Sequence, residues 1–337
     1  MKKINLFLLL AICVKISIAQ DVIWHVELHS FFNNTEFGKS AVKHSQTMTG
    51  VSFAPQIGLS YQEKHRMLLG VNAIHEFGSH KAIDYAFPMA YYHFKGNPFT
   101  FYMGSFPRKG LIDNYSRMFF KDSVGYYRPV INGLLWEIRS SKDDFFNVWF
   151  DWTGRQTYNQ RESFFMGWSG KYNHNLVYIQ QFGYMFHYAG SLNPTLYEPV
   201  QDNGLILTAL GLNLSENTFF DELDINAGWS VGLERDRGSS NRWINPNGFL
   251  SEIRAEYKYF GVFNTLYKGE KQQKSYKIHE NNLYWGDQTY RVNTYNRTDF
   301  YVNFIKNKAV NVKFIYSFHF MENRTYHEQT LNAVFGF

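Results

Sequence analysis

Beyond residue 13 the chain has no cysteine. No disulfide framework and no cysteine-ligated metal centre is then available to the rest of it. Past the first 19 residues there is also no run of roughly 18 apolar residues, which excludes a helical membrane protein. A real excess of positive charge is missing too. The formal net charge is +5, and it falls to +2 once Lys2, Lys3 and Lys15 of the leading segment are set aside. Nothing in that balance indicates nucleic-acid binding. A P-loop, a dinucleotide fingerprint and an HExxH motif are all absent.

The leading segment reads as a secretory signal. Lys2 and Lys3 are followed by a short apolar stretch, Leu6 to Val14, and then by Ser17-Ile18-Ala19, a small-x-small cleavage pattern. The apolar stretch is about half of the roughly 20 residues that a spanning helix needs. Residues 1–19 are therefore expected to be a signal peptide and 20–337 a single domain.

Aromatic residues are abundant: 32 Phe, 24 Tyr and 8 Trp, 19% of the chain. Mean hydropathy is nevertheless −0.38. Many aromatics on a polar average suit strands with one face toward lipid and one toward water. The alternation is explicit. Leu223, Ile225, Ala227, Trp229, Val231 and Leu233 share one face of their strand, opposite Glu222, Asp224, Asn226, Gly228 and Ser230. Phe249, Ile253, Ala255, Tyr257 and Tyr259 oppose Glu252, Arg254, Glu256 and Lys258. Val312, Phe314, Tyr316, Phe318 and Phe320 oppose Asn311, Lys313, Ser317 and His319. Such runs match the roughly 9–11 residues of a tilted membrane strand better than the usual strand of about 5–6.

Sixteen such segments can be counted, beginning near residues 22, 50, 67, 82, 99, 130, 145, 161, 176, 204, 220, 249, 263, 299, 309 and 326. One hairpin more or fewer, 14 to 18 strands, would also fit. Those at 176–189 and 263–268 mix polar and apolar residues on both faces. Tight connections (62–66, 95–98, 140–144, 172–175, 216–219, 260–262, 306–309) alternate with others that include long ones (33–49, 107–129, 190–203, 235–248, 269–298). Aromatics flank the tight turns. The final segment, Leu331 to Phe337, places Leu331, Ala333, Phe335 and Phe337 on one face. It should pair with 22–32.

Together these features predict an all-β fold: a closed antiparallel transmembrane barrel with short periplasmic turns and long extracellular loops. The chain resembles a 16-stranded porin of the Gram-negative outer membrane, and the terminal phenylalanine is similar to the C-terminal signature of outer-membrane barrels. The resemblance implies passive diffusion of small hydrophilic solutes and no enzymatic activity. It also implies contact with outer-membrane lipid and lipopolysaccharide. A homo-oligomer is compatible, since many porins are trimers, but no patch demands one.

In the porin family the third loop folds into the lumen and forms the constriction. The corresponding segment, 107–129, carries Arg108, Lys109, Arg117, Lys121 and Arg128 against Asp113 and Asp122. A constriction with that excess of positive charge would favour anionic solutes or acidic saccharides. Glu222, Asp224, Glu252, Arg254, Glu256 and Lys258 are expected to line the lumen wall and largely to neutralise one another. The alternatives are a barrel serving export or assembly of a surface polysaccharide, and a lipid-modifying enzyme or structural surface protein. The alternative for 107–129 is a loop outside the barrel, its charges solvated or in contact with lipopolysaccharide; a barrel plugged by 107–129 and 269–298 would not conduct.

No catalytic, metal or cofactor site is expected. Ser317 and His319 share a face, as a nucleophile and its base would. That face points into the lumen, away from lipid, and no orienting acid can be assigned. His25, Glu27 and His29 share a face as well, but neighbours two apart on one strand do not converge on an ion without a third strand.

Overall fold

The computed structural model describes residues 20–141 and 143–337; the signal-peptide reading of 1–19 lies outside the described residues. The described residues form sixteen strands. The first eight are β1 (Gln20–Glu36), β2 (Gln46–Tyr61), β3 (His65–Glu76), β4 (Tyr85–Lys95), β5 (Phe99–Pro107), β6 (Val130–Arg139), β7 (Phe145–Gly154) and β8 (Ser163–His174). The rest are β9 (Val177–Tyr188), β10 (Gln201–Asn213), β11 (Glu222–Asp236), β12 (Asn247–Tyr257), β13 (Phe260–Gly269), β14 (Thr294–Lys306), β15 (Val310–Met321) and β16 (Arg324–Gly336). Each pairs with its neighbours in the chain, and β16 pairs antiparallel with β1 to close the barrel. Closure satisfies every edge, which a sheet in hydrocarbon requires.

The closing register runs from Glu27 opposite Gly336 to Glu36 opposite His327. Val26 and Phe337 exchange two backbone hydrogen bonds, of 3.0 and 2.9 Å. Phe337 therefore seals the seam at the rim with the short turns, where the periplasm is. The three-residue β2–β3 connection at this rim and the two-residue β15–β16 connection at the other each hold two residues at positive φ (Gln62-Glu63 and Glu322-Asn323), the geometry that matches the twist of a hairpin. Lipid-facing positions carry the large exposed hydrophobics, such as Val22, Trp24, Ile57, Met67, Leu69 and Leu210.

The lumen is obstructed by two inward segments. Residues 108–129, with helix α1 (Asp122–Tyr127), turn inward rather than over the rim. So do residues 270–293, with helix α2 (Tyr276–His279). The two segments are hydrogen-bonded to each other: Lys121 N–H donates to Trp285 O and Asp287 N–H donates to Arg117 O, both at 2.9 Å. Ile112, Tyr115, Met118, Phe119, Leu283, Tyr284, Trp285 and Tyr290 are buried with Trp149 and Phe165 of the wall. This packing explains why the β9 pattern looks mixed. Phe182, Tyr184 and Phe186 face a packed plug instead of water, so both faces of that strand are apolar.

Candidate functional site

The six charged residues expected at a constriction do not form one ring. Arg108 pairs with Asp151 of β7 and donates from Nε to Arg128 O at 2.8 Å. Lys109 reaches Glu27 of β1 at 2.8 Å, and Asp113 accepts from Gly110 N–H at 2.6 Å. Burial raises the Asp113 carboxyl above its ordinary pKa. Arg128 lies over the Trp285 ring. Arg117 donates from Nε to both Asp122 oxygens at 3.0 Å and reaches Asp299 of β14 at 3.1 Å. Lys121 donates to Asn281 Oδ1 at 2.6 Å, and burial lowers its pKa. The charges are spent on holding the plug, because a desolvated cation is stable only when paired.

Behind Arg117 lies a buried ionic network. Arg297, 2% exposed, donates to Asp299 Oδ1 at 2.6 Å and to Ser317 Oγ at 3.0 Å, with Glu328 and Asp122 at 3.5 and 3.6 Å. Lys43 joins Asp287 (2.8 Å) to Glu328 (3.9 Å). Burial would raise the Asp287 carboxyl, but Lys43 and the Thr289 N–H hold it well below the usual range. Ser317 and His319 belong to this network. Both are fully buried, and His319 contacts Tyr295 OH at 2.8 Å and Glu328 at 3.3 Å. No hydrogen bond links the two among the described residues, so they do not form a nucleophile and base.

On the wall, Glu222, Asp224, Glu252 and Arg254 line a cavity of about 550 Å³ on the periplasmic side of the plug. Arg254 lies 3.5 Å from Glu222, and Tyr178 donates to Asp224 at 2.5 Å. Glu256 accepts from Tyr301 and Asn303 and pairs with Lys306. Lys258 departs from expectation. It sits in the β12–β13 turn at φ +55°, its N–H bound to Asp221, and so leaves the wall.

The arrangement with the most chemistry lies on the outside of the barrel. Cross-strand pairing aligns Trp152 of β7, Phe164 of β8, His187 of β9, Asp202 of β10 and Arg235 of β11 in one row. His187 shares the lipid-facing phase of Val177, Ile179 and Met185. Ten residue steps of tilted strand, from 177 to 187, rise about 25 Å, the height of the apolar band, so His187 stands at the outer interface. Its Nδ1 donates to Asp202 Oδ1 at 2.8 Å. Asp202 Oδ2 accepts from Arg235 at 2.9 and 2.6 Å and from Arg237 at 3.3 and 3.2 Å. Asp202 is 5% exposed on its side chain and His187 25%, so the carboxylate is sealed while the imidazole stays accessible. Trp243 stacks on Arg235 at 4.2 Å.

The pair holds a histidine in one tautomer, leaving Nε2 to accept a proton. Two other outward histidines near this rim lack such an acid. His75 is 3.7 Å from Asp84, beyond hydrogen-bond reach, and His327 approaches only Tyr316 OH at 3.4 Å. Sequence reasoning missed His187, Asp202, Arg235 and Arg237. The available signal was a histidine on the apolar phase of β9, and the apolar lumen face of that strand hid the phase.

No curated protein sequence matches the chain. Solved structures that match include a loop-deletion mutant of OmpT, an outer membrane protein of Vibrio cholerae. It is 9% identical over 95% of this chain and 100% of that one, with a TM-score of 0.56. OprB of Pseudomonas putida is 8% identical over 95% and 94%, with a TM-score of 0.53. The outer membrane protein OpdK of Pseudomonas aeruginosa is 9% identical over 94% and 98%, with a TM-score of 0.51. At these identities the likeness shows the fold alone, that of an outer-membrane barrel. The matching family model is described as Lipid A 3'-O-deacylase-type, an enzyme family, and it overturns the expectation of a barrel without enzymatic activity. It spans residues 15–337 and takes in every strand, so the chain belongs to the lipid A 3'-O-deacylase-type family.

Proposed function

We propose that the protein hydrolyses an ester-linked acyl chain of lipid A, the 3'-O-linked chain named in the family's description, with His187 as the general base. The observation that carries this reading is the His187–Asp202 pair on the lipid-facing wall at the level of the outer-leaflet head groups. Asp202 fixes the imidazole, and His187 Nε2 takes a proton from the water that attacks the ester carbonyl, then returns it to the sugar oxygen as the acyl C–O bond breaks and the fatty acid leaves. The partners of His187 on the flanking strands, Phe164 and Asp202, offer no hydroxyl or thiol, which favours direct attack by water over an acyl-enzyme. On one side of His187, Arg235 and Arg237 supply guanidinium groups suited to the anionic head group. On the other, Phe164 lies 5.0 Å from the imidazole and forms with Trp152 and Phe150 an aromatic surface for acyl chains.

The test is mass spectrometry of lipid A after incubation with the purified barrel. His187→Gln should cut turnover by roughly 100- to 10,000-fold while heat-modifiable gel migration stays normal. Full activity in that variant would refute the assignment.

A second reading concerns the lumen. Lys121 and Asp122 border both an outer cavity of about 280 Å³ and the inner cavity of about 550 Å³. These two side chains stand between the two cavities, and the Lys121 ammonium favours anions there. Reversal potentials in planar bilayers that report clear cation selectivity would sink this reading.

A further inference from the structure

A second cavity on the periplasmic side, about 980 Å³, lies between the plug and the wall formed by β1 to β5. On the outer side it is lined by the plug, at Pro107 to Leu111, Asp113, Gly125, Tyr126 and Pro129. Its opening lies at the other end, by Ile23 and His25, and adjoining space reaches the turn at Gly96 to Pro98. Within it, Arg66, Asn72 and His93 make no side-chain hydrogen bond or ion pair among the described residues, although Asn72 and His93 are 8% and 9% exposed.

That is unusual, because buried polar groups in folded proteins are satisfied almost without exception. Every other lumen cation considered above is paired or stacked on an aromatic ring; Arg66 is not. Arg66 stands directly across from His93 on β4, which in turn pairs with Tyr102 on β5. The His93 and Tyr102 rings stack at 4.1 Å and 9°, giving a rigid flat platform next to a free guanidinium. Tyr91, held by its hydroxyl to Gln56 Oε1 at 2.7 Å, adds a second ring.

We propose that this cavity is a binding site for an anionic saccharide that enters from the periplasm. Arg66 takes the carboxylate in a bidentate fork, Asn72 and His93 bond hydroxyls, and Tyr102 and Tyr91 offer faces to sugar rings. The site is independent of the lipid-facing histidine, on the opposite side of the barrel wall.

Calorimetric titration of the full barrel in detergent tests it, with trigalacturonic acid, neutral maltotriose and inorganic phosphate as probes. Trigalacturonic acid should bind, at least ten-fold more weakly to Arg66→Gln, and maltotriose and phosphate should each bind at least ten-fold more weakly than trigalacturonic acid. Arg66→Lys, which keeps the charge but not the fork, should fall between the wild type and Arg66→Gln, and serves if Arg66→Gln does not fold. Equal affinity of wild type and variant, or equally tight binding of maltotriose or of phosphate, would overturn the proposal.

Discussion

The seam between the two lumen segments can be broken at Gly286. A Cβ added there would collide with the Met118 carbonyl oxygen, which is backbone and cannot swing aside. Met118 is itself 3% exposed. Gly286→Ala must therefore push residues 116–121 and 285–287 apart. The two inter-segment hydrogen bonds, Lys121 to Trp285 and Asp287 to Arg117, would be lost, at about 0.5–1.5 kcal/mol net each. Trp285 would also back away from Phe165, whose ring centroid is 4.8 Å away, costing about 0.5–1.5 kcal/mol more. The sum is about 1.5–4.5 kcal/mol, confined to the plug, because the wall keeps its own ladder. Single-channel recording should show higher conductance in Gly286→Ala than in wild type, with unchanged heat-modifiable migration of the barrel. Wild-type conductance together with wild-type thermal stability would refute the argument that this glycine closes the seam.

Arg297→Met removes one of three cations (Arg297, Arg117, Lys43) that face four carboxylates (Asp122, Asp287, Asp299, Glu328). Leaving buried carboxylates short of a partner should cost about 3–5 kcal/mol in urea unfolding, and Arg297→Met/Glu328→Gln should recover part of it. A loss under about 1 kcal/mol would show that the network is not desolvated. Acid sensitivity follows from Asp287, whose folded pKa lies below its ordinary 3.8. Its contribution is fully present above that value and is lost as pH falls from about 4 toward the folded pKa. Stability of the wild type should therefore decline more steeply below pH 4 than that of Asp287→Asn, and parallel curves would exclude the role.

The barrel was legible because its signals are local. Alternation of side chains, aromatics beside tight turns and the rhythm of short and long connections are each read within a dozen residues. They give sixteen strands and the pairing of the last with the first; the inward position of 107–129 was implied only by the resemblance to porins, and no local pattern carries it. Lys258 escaped because the β12–β13 turn begins two residues earlier than alternation suggests, and positive φ at that position is not written in a lysine. The charges of 107–129 were visible, but their partners were not. Asp151, Glu27 and Asp299 come from three different strands, and only the closed barrel brings them to the plug.

The sequence by itself therefore determines the container: an antiparallel cylinder with lipid on one face of each strand, since a period of two fixes which side chains point out. Tertiary structure decides what the container holds and where chemistry can occur. Strand register places His187 beside Asp202, and Asp202 beside Arg235, across gaps of 15 and 33 residues. Loop folding turns the lumen into a plug with two periplasmic cavities. Both outcomes depend on contacts between distant segments, and no local pattern encodes them.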